Sequence, residues 1–188
     1  MTLFETARQY LTLGFTHVIP FGFDHILFIL CIFLMGNGIK QIIFLCSVFT
    51  LAHSISLGLA SANMISINTR ITEPLIALSI LITAIQNIVG NTLYKWRMPA
   101  IFIFGLIHGL GFAVALKETG LAEDRFFSSL LFFNLGVEFG QIAIIIVAWY
   151  LIGKWFREKA WYKERFVYPV STITACVALY WTIERLLV

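Results

Sequence analysis

The sequence contains few charged side chains. Lysine, arginine, aspartate and glutamate make up 12% of the 188 residues, whereas 60% are hydrophobic. A soluble domain carries roughly 25% charged residues and about half apolar ones. The composition therefore excludes a soluble domain, and it predicts an all-α protein that crosses a membrane several times.

Other scarce features exclude further classes of protein. The net charge is only +3, and no basic patch indicates binding to nucleic acid. The three cysteines, Cys31, Cys46 and Cys176, lie inside apolar runs without close spacing. We interpret them as small buried hydrophobic side chains.

The N-terminal segment MTLFETARQYLTLG lacks the long apolar core and the small-residue cleavage site of a signal peptide. Phe4, Ala7, Tyr10 and Leu11 recur at helical spacing. This pattern predicts a short interfacial helix that leads into the first membrane span.

Six stretches are long and apolar enough to cross a bilayer, which requires about 20 residues each. We predict a polytopic transmembrane helix bundle in which residues 1–188 form one domain. The predicted spans are about 15–35, 41–63, 73–93, 98–116, 127–152 and 166–187. The glycine pairs Gly105 with Gly109 and Gly136 with Gly140 suit close helix packing.

Lysine and arginine are distributed unevenly between the two sides of the membrane. One side holds Lys40, Lys95, Arg97, Lys154, Arg157, Lys159, Lys163 and Arg165. The other side holds Arg8, Arg70, Lys117, Arg125 and Arg185, together with the acidic residues Glu118, Glu123 and Asp124. Because positive residues concentrate in cytoplasmic loops, both termini are predicted to be periplasmic.

Polar side chains from five of the predicted spans fall in the outer half of the membrane. Intramembrane ionisable groups are costly and usually functional. The residues that we group into one candidate site are His17, Asp24, His25, His53, Glu73, His108, Asn134 and Glu138. His17 lies nearest the outer surface, and we expect it at the periphery of the site.

Several imidazoles with one to three carboxylates are typical of a site for divalent zinc, nickel or cobalt. The predicted ligands are Asp24, His25, His53, His108 and Glu138, with His17 peripheral. Two further side chains, Glu73 and Asn134, would orient the ligands. Some members also have a purely structural interpretation. Hydroxyl groups such as that of Ser54 often bond to their own helix, and Glu73 could cap a helix before Pro74.

Five separated motifs resemble those of the HupE/UreJ-type membrane proteins. They are GFDHILFIL at 22–30, FTLAHSISLGLA at 49–60, EPLIALSI at 73–80, FGLIHGLGFA at 104–113 and FNLGVEFGQ at 133–141. The resemblance implies a bacterial inner-membrane protein of six or seven helices, whose relatives are regarded as nickel or cobalt permeases accompanying hydrogenase and urease.

Two details make the sequence more similar to the second, less characterised branch of that family than to its nickel-permease branch. Six residues separate His17 from Asp24, where the nickel branch has five. The stretch LIHGLGFA carries only His108, where the nickel branch has two histidines and a glutamate close together.

We weigh two functions. The first is a divalent transition-metal permease. The alternative is an intramembrane zinc-dependent hydrolase that acts on a lipid or a membrane-proximal peptide. In that enzyme His25, His53 and His108 would hold the metal, Asp24 or Glu138 would act as base, and Ser54 would lie near the oxyanion.

A metal-sensing or assembly subunit is a third hypothesis. The predicted partners are the lipid bilayer and the metal ion, and a second copy of the chain or an accessory protein stays open.

Overall fold

The computed structural model of the protein describes residues 2–90, 96–119 and 125–187, and these residues form helices joined by short connections, with no strand among them. The main helices are α1 (Leu3–Val18), α2 (Phe23–Met35), α3 (Ile39–Ser61), α4 (Thr69–Val89), α5 (Arg97–Thr119), α6 (Phe126–Ala148) and α7 (Tyr168–Leu187). Helix α6 continues through a π-helical segment, Trp149–Gly153, into the short turn Lys154–Phe156, and another π-helical segment, Lys163–Val167, leads into α7.

Five stretches of these helices are long and apolar enough to cross a membrane: Ile39–Ser61, Thr69–Val89, Arg97–Val114, Phe126–Phe156 and Lys163–Leu187. Helices α1 and α2 together meet the same test, but they are bent by 70°. The prediction of an all-α, multi-pass membrane protein is therefore confirmed.

The first predicted span, 15–35, is two helices rather than one. Helix α1 ends at Val18 and α2 begins at Phe23. Pro20 explains the interruption, because proline has no N–H for the helical ladder and disfavours the helical conformation of the residue before it. The break leaves the last turn of α1 and the first turn of α2 close together inside the bundle.

Helix α1 is longer than the short interfacial helix expected from the sequence, and it packs against α6. Its buried residues, Thr6, Tyr10, Gly14 and Val18, repeat every four positions and form one face. A Cβ atom added to Gly14 would collide with the carbonyl oxygen of Phe133 on α6. The two helices run side by side in the same direction, since later residues of α1 meet later residues of α6.

Glycine also brings α3 and α5 together. A Cβ atom at Gly105 would lie 2.5 Å from the carbonyl oxygen of Phe49, and one at Gly109 would collide with the carbonyl oxygen of His53. Small residues at such positions let helix backbones approach closely in a membrane. This contact fixes the height of His53 relative to α5.

The two ends of the bundle differ in charge. Arg97, Lys154, Arg157 and Lys163 surround one cavity at the end where α2 finishes. Arg70 and Arg185 lie at the opposite end, beside Glu73. Residues 91–93 of the third predicted span, Lys95, Glu123 and Asp124 fall outside the described residues, as do the side chains of Lys117 and Glu118.

Substitution of Gly136 by alanine tests the packing of α1 on α6. The added methyl group would collide with the carbonyl oxygen of Leu11, and overpacking of this kind costs about 1–3 kcal/mol. We expect a lower midpoint of thermal unfolding in detergent. Gly38→Ala is the matched control, because a Cβ atom there meets nothing within 4 Å. Equal midpoints for the two variants would contradict the close packing.

Candidate metal centre

Three histidines meet at the break between α1 and α2. His17 lies in the last turn of α1, His25 in the first turn of α2, and His53 within α3. One ring nitrogen from each lies within 4.8 Å of those of the other two. The ring centroid of His17 is 4.6 Å from that of His25 and 6.1 Å from that of His53. The sequence analysis expected His17 at the periphery, but the structure places it among these three rings.

The Nε2 atoms of all three histidines are buried and have no hydrogen-bond partner among the described residues. Buried polar atoms in proteins are nearly always hydrogen-bonded, so each exception needs an explanation. Three imidazoles that bring one ring nitrogen each within 4.8 Å of the others are a suitable ligand set for a borderline divalent cation. The residues present therefore fit a metal ion.

Neighbouring side chains hold two of these rings in the required tautomer. The Nδ1 atom of His25 lies 3.2 Å from Oδ1 of Asp24. The same oxygen accepts a hydrogen bond from the backbone N–H of His25 at 2.9 Å. The Nδ1 atom of His53 lies 3.4 Å from Oδ1 of Asn134. If Nδ1 donates in each case, Nε2 keeps its lone pair for a metal.

Asp24 and Asn134 are themselves fixed in position. Asp24 occupies the first turn of α2, where the positive end of the helix dipole favours a carboxylate. The amide nitrogen of Asn134 donates to the carbonyl oxygen of Leu130 at 2.8 Å, which orients Oδ1 toward His53. Both side chains thus hold histidine rings in place, whereas the sequence analysis expected Asp24 to be a metal ligand and Asn134 to orient the ligands.

His108 lies beside the three-histidine cluster but is held differently. Its ring centroid is 5.2 Å from that of His25. Its Nε2 atom lies 2.9 Å from the hydroxyl oxygen of Ser79 on α4, and its buried Nδ1 atom has no hydrogen-bond partner in the described part of the chain. All four histidines therefore adjoin, as the sequence analysis expected, with His108 tied to α4.

Sequence reasoning missed Ser79 and Phe112. Phe112 packs on His17, with ring centroids 3.8 Å apart. A lone serine in an apolar helix and a phenylalanine in an apolar run give no signal of their own. Each position becomes recognisable only through its proximity to a histidine on another helix.

Two residues named in the sequence analysis are engaged elsewhere. The carboxylate of Glu138 accepts a hydrogen bond from the hydroxyl group of Ser47 at 2.6 Å. Glu138 lies one turn beyond Asn134 on α6, and Ser47 precedes His53 by six residues on α3. This pair is therefore farther than the histidines from the end of the bundle that holds Arg185. Ser54 donates to the carbonyl oxygen of Thr50 in its own helix at 2.7 Å.

A cavity of about 240 Å³ leads to the histidines from the end of the bundle that holds Arg185. Its polar lining consists of His17, Asp24, His25, Glu73, His108 and Arg185. Glu73 is exposed at this end, and its carbonyl oxygen accepts a hydrogen bond from Arg185 at 3.1 Å. His17, His25 and His108 therefore line a cavity at one end of the bundle, together with two carboxylates and one guanidinium, whereas His53 is fully buried and is not part of its lining.

The fold and the site define a multi-pass helical membrane protein with a buried histidine cluster. The family described as HupE / UreJ protein matches residues 2–185, and the chain belongs to this family. No curated protein and no solved structure gives a significant match.

Replacement of His53 by alanine should abolish tight binding of Zn²⁺, Ni²⁺ or Co²⁺, because it removes one of three converging nitrogens. The measurement is the metal content of the purified protein after equilibration with each ion. Glu138→Gln is the control, since the structure keeps that carboxylate on Ser47, and its metal content should match the wild type. Loss of metal in Glu138→Gln with retention in His53→Ala would contradict the three-histidine site.

Replacement of Asn134 by alanine should weaken metal binding without abolishing it. Loss of a residue that orients a ligand typically costs 10–100-fold in metal affinity. Competition titration of Zn²⁺ against a chelator measures the change, with Ser47→Ala as a neighbouring control of unchanged affinity. An Asn134→Ala affinity equal to that of the wild type would show that His53 needs no such support.

Proposed function

We propose that this protein is a permease for a divalent transition-metal ion of the zinc, nickel and cobalt class. One observation carries the proposal: His17, His25 and His53, whose buried Nε2 atoms have no hydrogen-bond partner among the described residues, bring one ring nitrogen each within 4.8 Å of one another where a membrane-crossing helix pair is broken. Transporters commonly bind their substrates at discontinuous helices inside the membrane. Membership of the HupE/UreJ family and the resemblance to nickel and cobalt permeases support the same function.

Different side chains carry out the successive steps of ion capture. The cavity offers the carboxylates of Asp24 and Glu73 to an approaching cation, and His17, His25 and His53 then replace its water ligands. Asp24 and Asn134 hold two of the rings in the binding tautomer. Neutral imidazoles bind a borderline cation without neutralising its charge, which suits a site that must also release its ion.

The proposal includes an orientation. If the lysine- and arginine-rich end faces the cytoplasm of a bacterial inner membrane, the cavity beside Arg185 opens to the periplasm and both termini are periplasmic. The ion would then be captured from outside. Within the family, we assign the protein to the second branch, on the spacing of His17 and Asp24 and on the single histidine in LIHGLGFA.

Passage to the cytoplasm requires a second conformation. Between the histidines and the lysine- and arginine-rich end, the bundle is filled by fully buried apolar side chains, among them Phe28, Ile32 and Phe49. Such a layer blocks a hydrated or a coordinated ion. The break between α1 and α2 separates two rigid segments, and relative movement of these segments would open the layer.

The same layer favours a second candidate function, an intramembrane metallohydrolase. A site that opens to only one side of the membrane suits a reaction carried out at that side, rather than transport across the membrane. Three imidazoles leave a coordination position on Zn²⁺, which when bound would activate water. Of the two candidate bases, Asp24 lines the cavity whereas Glu138 accepts a hydrogen bond from Ser47, so Asp24 would be the base in this enzyme. Ser54 is bonded to its own helix and would not serve at the oxyanion. Its substrate would be a lipid or a membrane-proximal peptide.

Ion flux into proteoliposomes separates the two functions. The permease predicts uptake of Zn²⁺, Ni²⁺ or Co²⁺ by the wild type, measured with an internal metal-sensitive dye, and its loss in His25→Ala. Cys176→Ala, at an exposed position on α7, is the control that should transport normally. A wild type that holds one metal ion per chain but transports none of the three would overturn the permease and favour the hydrolase.

A further inference from the structure

A second polar cavity lies at the end of the bundle opposite the histidine site. Its volume is about 440 Å³, within the range of small-molecule sites. It is bounded by the C-terminal end of α2, the end of α4, the π-helical extension of α6 and the segment before α7. The charged side chains that line it are the cations Arg97, Lys154, Arg157 and Lys163 and one carboxylate, Glu158.

The two arginines have a structural role that uses some of their hydrogen-bond donors. Arg97 donates to the carbonyl oxygen of Met35 at 3.1 Å. Arg157 donates to the carbonyl oxygens of Gly36 at 2.6 Å and Phe33 at 2.8 Å. These contacts satisfy the last turn of α2, whose carbonyl groups lack helical partners. The Nε atom of Arg157 is buried, and no described residue forms a hydrogen bond with it.

The two lysines have no such explanation. Across the described ranges, neither Lys154 nor Lys163 forms an ion pair with a carboxylate. The Nζ atom of Lys154 lies over aromatic rings, 5.0 Å from the centroid of Trp155 and 5.6 Å from that of Tyr150. The lining therefore carries four cationic side chains and one carboxylate, and its two lysines form no ion pair among the described residues.

We propose that this cavity binds the phosphate group of an anionic ligand. Lysine and arginine are the residues that recognise phosphate, through charge and through several N–H donors. Basic pockets between transmembrane helices, at the depth of the lipid headgroups, commonly bind anionic headgroups. The side chains of Asn37 and Gln86 also line the cavity and can bond to hydroxyl groups beside a phosphate. The ligand is a phospholipid headgroup or free phosphate, and its site is independent of the metal centre.

The test measures the thermal unfolding of the full-length protein in detergent. One arm compares added phosphatidylglycerol with phosphatidylcholine. The other compares inorganic phosphate with chloride at equal ionic strength. Three proteins are examined: the wild type, the double variant Lys154→Gln/Lys163→Gln, and the control double variant Lys40→Gln/Lys159→Gln. The control lysines are exposed and lie outside the cavity lining.

We expect the phosphate-bearing ligand to raise the unfolding midpoint of the wild type and of the control. The cavity variant should bind it about fivefold more weakly for each lysine removed. Stabilisation by phosphatidylglycerol alone identifies a lipid headgroup, and stabilisation by inorganic phosphate as well shows that the phosphate group suffices. Both results support the site.

Two results would overturn the proposal. The first is a wild type that neither ligand stabilises beyond phosphatidylcholine and chloride. The second is an equal loss of affinity in the two double variants, which would indicate general attraction between charges. Lys163→Gln alone provides a second cavity variant, because it leaves the contacts of Lys154 with Tyr150 and Trp155 in place.

Discussion

Lipid offers no hydrogen-bond partner to a polar side chain, and this constraint decides where the polar groups of the protein lie. Several of them find partners within the bundle: Thr50 and Ser54 bond to carbonyl groups of their own helix, and Glu138 bonds to Ser47. The Nε2 atoms of His17, His25 and His53 have no such partner among the described residues. A cation held by these three rings would supply one, and the proposed function depends on this arrangement.

Close packing of helix backbones places the three rings. Gly14 and Gly136 allow α1 to lie directly on α6, and Gly109 allows α5 to lie on the backbone of His53. The interruption at Pro20 then turns the chain so that both sides of the break contribute a histidine. A continuous helix would place residues 17 and 25 about 12 Å apart along its axis. With the break, the ring centroids of His17 and His25 lie 4.6 Å apart.

Much of this architecture was readable from the sequence, and the reasons for the exceptions are physical. Apolar run lengths predicted the helices, and the positions of the histidines within those runs predicted that they would lie at similar depth. The sequence analysis treated residues 15–35 as one continuous span, so it expected His17, the residue nearest the outer surface, at the edge of the site. Glu138 shares a helical face with Asn134 but pairs with Ser47, because which neighbour a side chain meets depends on the packing of α3 and α6. Helical periodicity does not specify that packing.

X-ray absorption of the protein loaded with Zn²⁺ tests the central claim most directly, since it reports the atoms around the ion. The account predicts a shell that includes three imidazole nitrogens at about 2.0–2.1 Å. In His17→Ala, whose histidine sequence reasoning had held to be peripheral, the imidazole count should fall to two. A first shell of oxygen atoms without the outer scattering of imidazole rings, or a spectrum unchanged in His17→Ala, would contradict a metal site built from His17, His25 and His53.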